Sequence, residues 1–168
     1  MQKANRLQGK WWQNVVFFLT ALLIVAADQF SKIWIRSYPE EQLIFDAGFF
    51  RITHIHNTGA AFGLFQGYSF ALTIVALVGI AVILLYVLLV YRHSPYLDNV
   101  VNRLALGLVL GGTAGNLIDR LSFGYVTDFI DFGFWPAFNI ADSAITVGVI
   151  IFACSLLLSL RAGGKHES

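Results

Sequence analysis

The sequence predicts an all-α membrane protein: a four-transmembrane-helix bundle with a small β-hairpin or sheet on its outer face. Three observations point there. Hydrophobic residues make up 57% of the 168 residues and charged residues only 12%, whereas a soluble domain is nearer half apolar and a quarter charged. The apolar residues are segregated into four runs, and a helix needs about 20 such residues to cross a bilayer core. The unusual polar residues collect at the ends of those runs that share one membrane face. A single domain over residues 1–168 is the expectation, with spans near residues 12–34, 68–91, 102–121 and 138–160.

The first run, Trp11 to Trp34, has basic Lys3, Arg6 and Lys10 ahead of it. Its fully apolar part, Val15 to Ala27, ends in Val-Ala-Ala, a pattern a cleaved signal peptide also has. The apolar pattern continues past Asp28 through Phe30, Ile33 and Ile35, with tryptophans at both ends, which favours a retained span. In the segment from Ser37 to Gly67, Gln42–Phe45 and Phe49–His56 read as two short strands about an Asp46-Ala47-Gly48 turn. The second run, Tyr68 to Tyr91, contains no charge. The third carries Gly107, Gly111 and Gly115 at i, i+4 and i+8, a stripe that lets another helix backbone approach closely. The connection Ser122 to Ala137 is hydrophobic and is expected to lie on the interface. The fourth run is Phe138 to Leu160.

Four spans put the basic tails and the link carrying Arg92 and Arg103 on one side, with Arg161 and Lys165. The positive-inside bias makes that side cytoplasmic, so both termini lie there. The single Cys154 excludes an internal disulfide and a multi-cysteine metal site. No basic cluster is dense enough to imply nucleic acid, and no organic cofactor is expected.

The polar constellation is then read helix by helix. Asp28 and Lys32 are four apart, in the favourable order for an intrahelical ion pair. Asn116 and Arg120 share a face of the third helix, and Asp119 falls on the glycine stripe. Asn139 and Asp142 are three apart, with Thr146 extending their face. Between the helices stand Asp128 and Asp131. Carboxylates at membrane depth are desolvated and are functional candidates. Two brought together share one proton, which suits one to act as base toward water and the other as acid toward a carbonyl. Spacing leaves the choice between Asp128 and Asp131 open. It also leaves open a small proton-coupled transporter, with Asp28, Asp119, Asp128 and Asp142 as a relay, and a non-catalytic lipopeptide-binding protein. His54 and His56, two apart on an expected strand, lack a clear third metal ligand and read as a polar strand face.

Five blocks carry a resemblance: D-Q-F-S-K from Asp28 to Lys32, N-T-G-A-A-F-G from Asn57 to Gly63, G-N-L-I-D-R from Gly115 to Arg120, V-T-D-F from Val126 to Phe129, and F-N-I-A-D-S-A from Phe138 to Ala144. In this order the chain resembles the bacterial lipoprotein signal peptidase family, or signal peptidase II. The resemblance implies an intramembrane aspartic endopeptidase of the inner membrane without cofactor or metal. It would cut diacylglyceryl-modified prolipoproteins on the N-terminal side of the lipidated lipobox cysteine, at the periplasmic face and among membrane lipids; four tight helices need no partner, so a monomer is expected. The family's catalytic aspartates match Asp128 and Asp142, which favours Asp128 over Asp131. Asn116, Arg120 and Asn139 match polar residues around the site. Asn57, Gly59, Asp28 and Lys32 match further motif residues with supporting or substrate-positioning roles. Thr127 stands where the family commonly has valine, and the similar shape of the two suggests little consequence.

Overall fold

The computed structural model describes residues 2–59, 65–90 and 99–164. Residues 60–63 of the second motif block, Tyr91, Arg92 and Lys165 lie outside them. The elements are α1 (Gln2–Ile35), β1 (Leu43–Asp46), β2 (Arg51–Asn57), α2 (Ser69–Leu85), α3 (Val100–Phe123), β3 (Val126–Asp131) and α4 (Ile140–Gly164). α2 continues into a π turn at Tyr86–Val90. Four helical stretches are long and apolar enough to cross a membrane: Trp11–Ile35, Ser69–Leu89, Val100–Phe123 and Ile140–Ser159. All four predicted spans are therefore present. α1 extends well before its predicted start, as one continuous helix through the Val-Ala-Ala stretch.

α3 is the central helix. In its most apolar window 61% of residues are buried, against 11–17% in the other three. It packs on α1, α2 and α4. The glycine stripe explains how. A Cβ at Gly107 would stand 2.7 Å from Phe17 O, and one at Gly111 2.6 Å from Ala21 O. Gly112 faces the Ala141 carbonyl of α4, and Gly148 of α4 answers it against Ala105 O of α3. Backbones meet on both sides of α3, the packing that stabilises helices where lipid offers no hydrophobic drive. Away from the sheet, Phe17, Ala21, Val87, Leu106 and Leu110 form the apolar core.

At the other end α3 stops at Gly124, whose φ of +79° suits glycine and whose N–H returns to Arg120 O at 3.0 Å. The chain reverses there into β3. The sheet has three antiparallel strands in the order β1-β2-β3. The hairpin falls where the alternation places it, with its second strand shifted to start at Arg51. The third strand is a correction: the Ser122–Ala137 connection is not simply an interfacial loop. Its first half pairs with β2, matching Ile52 to Ile130 and Asn57 to Val126. Its second half leaves the sheet and returns. Ile130 and Phe138 exchange N–H···O bonds of 2.9 and 3.1 Å, so the ends of the 131–137 excursion are held together.

Replacing Gly111 by alanine should force α1 from α3 and cost about 1–3 kcal/mol, read as a fall in Tm in detergent. Gly79→Ala, where nothing lies within 4 Å of the added Cβ, should leave Tm unchanged or slightly raised.

Candidate active site

Asp128 points from β3, and Asp142 stands in the first turn of α4. Asn139 joins them. The sequence places it inside the fourth helix; it is instead the residue before the helix and caps it. Its Oδ1 accepts from Asp142 N at 2.9 Å, while Asp142 Oδ2 accepts from Asn139 N at 3.3 Å. This reciprocal box satisfies amide donors at the helix start. Because Oδ1 is committed to a backbone N–H, the amide nitrogen must face the other way. It donates to Asp128 Oδ1 at 2.7 Å.

The other two asparagines obey the same rule. Asn57 Oδ1 accepts from Gly59 N at 2.9 Å, leaving Nδ2 to donate to Asp128 Oδ2 at 2.8 Å. Asn116 Oδ1 accepts from Lys32 Nζ at 2.9 Å, and its Nδ2 donates to Asp142 Oδ1 at 2.7 Å. Three of the four carboxylate oxygens thus receive a side-chain N–H whose direction is set by a second donor behind it, and the fourth, Asp142 Oδ2, receives a backbone N–H.

Behind the asparagines lies a buried ion cluster. Lys32 Nζ stands 2.8 Å from Asp28 Oδ2 and 3.2 Å from Asp119 Oδ2, with all three side chains fully buried. Arg36 Nη1 adds Asp119 Oδ1 at 3.2 Å. Two cations against two anions leave the cluster neutral, as buried charge requires. Asp28 Oδ1 also accepts from Ala141 N at 3.0 Å, so an α1 side chain helps cap α4. Gly115 makes this possible, since a Cβ there would lie 2.6 Å from Asp28 Oδ2.

The carboxylates open onto a cavity of about 550 Å³. Asn57, Gly59, Asn116, Arg120, Asp128 and Asp142 form its polar part; Val126, Trp135, Pro136, Ala137, Phe138, Ile145 and Val147 form its apolar part. Arg120 Nη2 donates to Gly59 O at 3.2 Å. Burial first, and then the charge of Asp142, push the Asp128 carboxyl up to about 7; the amides of Asn57 and Asn139 pull the other way.

The structure thus brings Asp128, Asp142, Asn116, Arg120, Asn139, Asn57 and Gly59 together. Asp28 and Lys32 do not reach the cavity and act through Asn116 and the start of α4. Asp131 is turned away, paired with Arg51 at 2.7 Å. Asp119 and Arg120, adjacent in sequence, serve different partners on different sides of α3. Three residues that support the site were not among its candidates from sequence, Arg36, Gln29 and Thr127, and Asp119, offered there only as a relay acid, supports it as well. Gln29 Nε2 donates to Asp119 Oδ1 at 3.2 Å. The Thr127 hydroxyl accepts from Arg36 Nη1 at 3.1 Å, so its difference from valine is a hydrogen bond and not only a matter of shape. The available signal was the i, i+4, i+8 series Asp28, Lys32, Arg36, one stripe of α1.

Residues 20–158 match the family model described as signal peptidase (SPase) II. A lipoprotein signal peptidase of Moorella thermoacetica is 47% identical over 153 residues, covering 89% of this chain and 98% of the relative. One from Dehalococcoides mccartyi is 42% identical, with 90% and 95% covered. A solved bacterial membrane enzyme superposes with a TM-score of 0.76 at 30% identity, over 86% of this chain and 88% of its own.

Lys32→Met leaves Asp28 buried without its cation and Asp119 with Arg36 alone. It should cost about 3–5 kcal/mol, measured by thermal or denaturant unfolding in detergent. Arg51→Gln breaks a pair whose arginine is 43% exposed and should cost no more than about 1 kcal/mol.

Proposed function

The chain belongs to the signal peptidase II family, an aspartic-type peptidase that removes signal peptides from prolipoproteins, and we propose from that premise that Asp128 and Asp142 are its catalytic pair. The observation that carries the proposal is the shared Asn139: one side chain caps the helix bearing Asp142 and donates to Asp128, at the wall of one cavity. Asp128 holds a proton near neutral pH and donates to the scissile carbonyl. Asp142 lies at the positive end of α4, which favours its charged form, and takes the proton of the attacking water. As the tetrahedral intermediate collapses, that proton passes from Asp142 to the leaving amine, and one hydroxyl of the intermediate returns its proton to Asp128.

The supporting residues follow from their contacts. Asn57, Asn116 and Asn139 hold the two carboxylates at fixed angles. Arg120, bound to Gly59 O through Nη2, keeps further N–H donors for the carbonyls of an extended substrate. Asp28 and Lys32 set the orientation of Asn116 and the start of α4.

The substrate is a prolipoprotein whose cysteine carries a diacylglyceryl group, cut on the N-terminal side of that cysteine. The apolar wall from Trp135 to Phe138, with Ile145 and Val147 on α4, supports this reading. It accepts a peptide arriving sideways from the bilayer with its acyl chains still in lipid. Both termini are cytoplasmic and the site faces outward from the inner membrane. The tail charges Lys3, Arg6 and Lys10 support that orientation. On the opposite side Lys32, Arg36 and Arg51 are each held by a carboxylate. One chain supplies the whole pair, so the working unit is a monomer. A proton-coupled relay is not favoured: its four acids divide between a neutral structural cluster and the cavity.

Asp128→Asn and Asp142→Asn should each lower cleavage of a diacylglyceryl-modified prolipoprotein by at least about 10²–10⁴-fold, in a gel-shift assay with purified enzyme. Cleavage by either variant at the wild-type rate would remove it from the pair. Because the acid must be protonated, wild-type kcat/KM, which reports the free enzyme, should fall as pH rises through about 7, where Asp128 titrates. A kcat/KM flat from about pH 6 to about 9 would contradict the assignment of Asp128 as acid.

A further inference from the structure

His54 and His56 lie on β2, outside the cavity, with ring centroids 4.8 Å apart. His54 Nδ1 is 2.8 Å from Tyr38 O. A carbonyl only accepts, so Nδ1 carries that ring's hydrogen. His56 Nδ1 is 2.8 Å from Glu40 Oε1, and a carboxylate likewise draws the hydrogen to Nδ1. A neutral imidazole carries one ring hydrogen, so both Nε2 atoms are left as bare acceptors. They face each other at 3.2 Å. Two lone pairs at that distance repel unless a positive centre, a proton or a metal ion, lies between them.

We propose that the two Nε2 atoms form a binding site for a late first-row divalent cation, Zn²⁺ or Cu²⁺. Two nitrogens bound at 2.0–2.1 Å in tetrahedral geometry stand roughly 3.3 Å apart, close to the spacing found. The surroundings are those of ligating histidines, which donate their remote N–H to a carbonyl or carboxylate. Tyr38 O and Glu40 take these two places. The Tyr125 ring stacks on His56 at 3.8 Å and fixes its plane. The His54 ring is buried, while the His56 side chain is 23% exposed, which leaves a side open for entry. Among the described residues no third His, Cys, Asp or Glu joins the pair, so water completes the shell. Imidazole ligands suit Zn²⁺ and Cu²⁺ over Mg²⁺ or Ca²⁺. Arg36, whose charge acts on His56, is itself held by Asp119 at 3.2 Å.

The cation would brace the turn after α1 against β2. Glu41 N already donates to His54 O at 2.8 Å and His54 N to Gln42 O at 3.2 Å. The next residue along β2 is Asn57. The proposal does not depend on the identity of the catalytic residues, and its test reads metal and not cleavage.

Untagged full-length protein, stripped with chelator, is titrated with Zn²⁺ in a calorimeter and with Cu²⁺ under electron paramagnetic resonance. The expected result is one equivalent per chain, with hyperfine structure from two nitrogens in the Cu²⁺ spectrum. His56→Gln, at a partly exposed ring, should fold and lose this binding. Glu40→Ala should weaken it by about 10–100-fold while keeping both nitrogens. Circular dichroism confirms that both variants keep their helices. Binding unaltered in His56→Gln would place the metal elsewhere and overturn the proposal. So would the absence of any Zn²⁺ or Cu²⁺ binding by the wild type.

Discussion

A buried ammonium is unfavourable unless carboxylates and hydrogen-bond acceptors surround it. Lys32 meets that condition with Asp28 and Asp119, and it spends a further N–H on Asn116. An ammonium can only donate, so the Asn116 carbonyl must face it and the Asn116 amide nitrogen must face Asp142. The orientation of a group in the cavity is therefore decided one layer deeper, by the sign of a buried charge that does not line the cavity. The same cluster holds α1, α3 and the start of α4 together through Asp28. Stability and site geometry share these residues.

Around the two carboxylates the protein builds different environments from the same amide chemistry. Asp128 lies on a strand, flanked by two asparagine side chains. Asp142 sits at a helix start, held by one asparagine side chain and one backbone N–H. Their proximity makes ionisation of one oppose ionisation of the other. A sheet residue beside a helix-terminal residue is a simple way to divide one proton unequally. The bilayer setting strengthens the effect, since low polarity around Asp128 raises the cost of its charge.

The spans were legible because an apolar run of bilayer length suits little besides a helix in lipid. The hairpin was legible because alternation and an Asp-Ala-Gly turn are local. The glycine stripe showed that something packs closely on α3, though not that α1 does so at Gly107 and Gly111 while α4 meets Gly112. β3 was missed because Val126 to Phe134 is apolar apart from Thr127 and the two aspartates and shows no strict alternation. That pattern fits an interfacial loop as well as a strand buried between a hairpin and a helix bundle. Asp128 and Asp131 are three apart, an odd step that turns them to different partners once the segment is a strand. Asn139 was placed on the helix because the apolar run begins at Phe138, whereas the cap is defined by which N–H groups its side chain takes. Arg36 and Thr127 were passed over because their partnership crosses 91 residues of sequence.

The two-way bond between Ile130 and Phe138 separates the excursion it closes from the strand and helix that it joins. Asp128 and Asn139 lie on the inner side of that closure, and the exposed Phe134 and half-exposed Trp135 lie on the outer side. A change of length or bulk beyond the closure need not be transmitted to the carboxylates. The rim can therefore differ in length or bulk while the two carboxylates keep their places, much as a tool holder accepts different jaws.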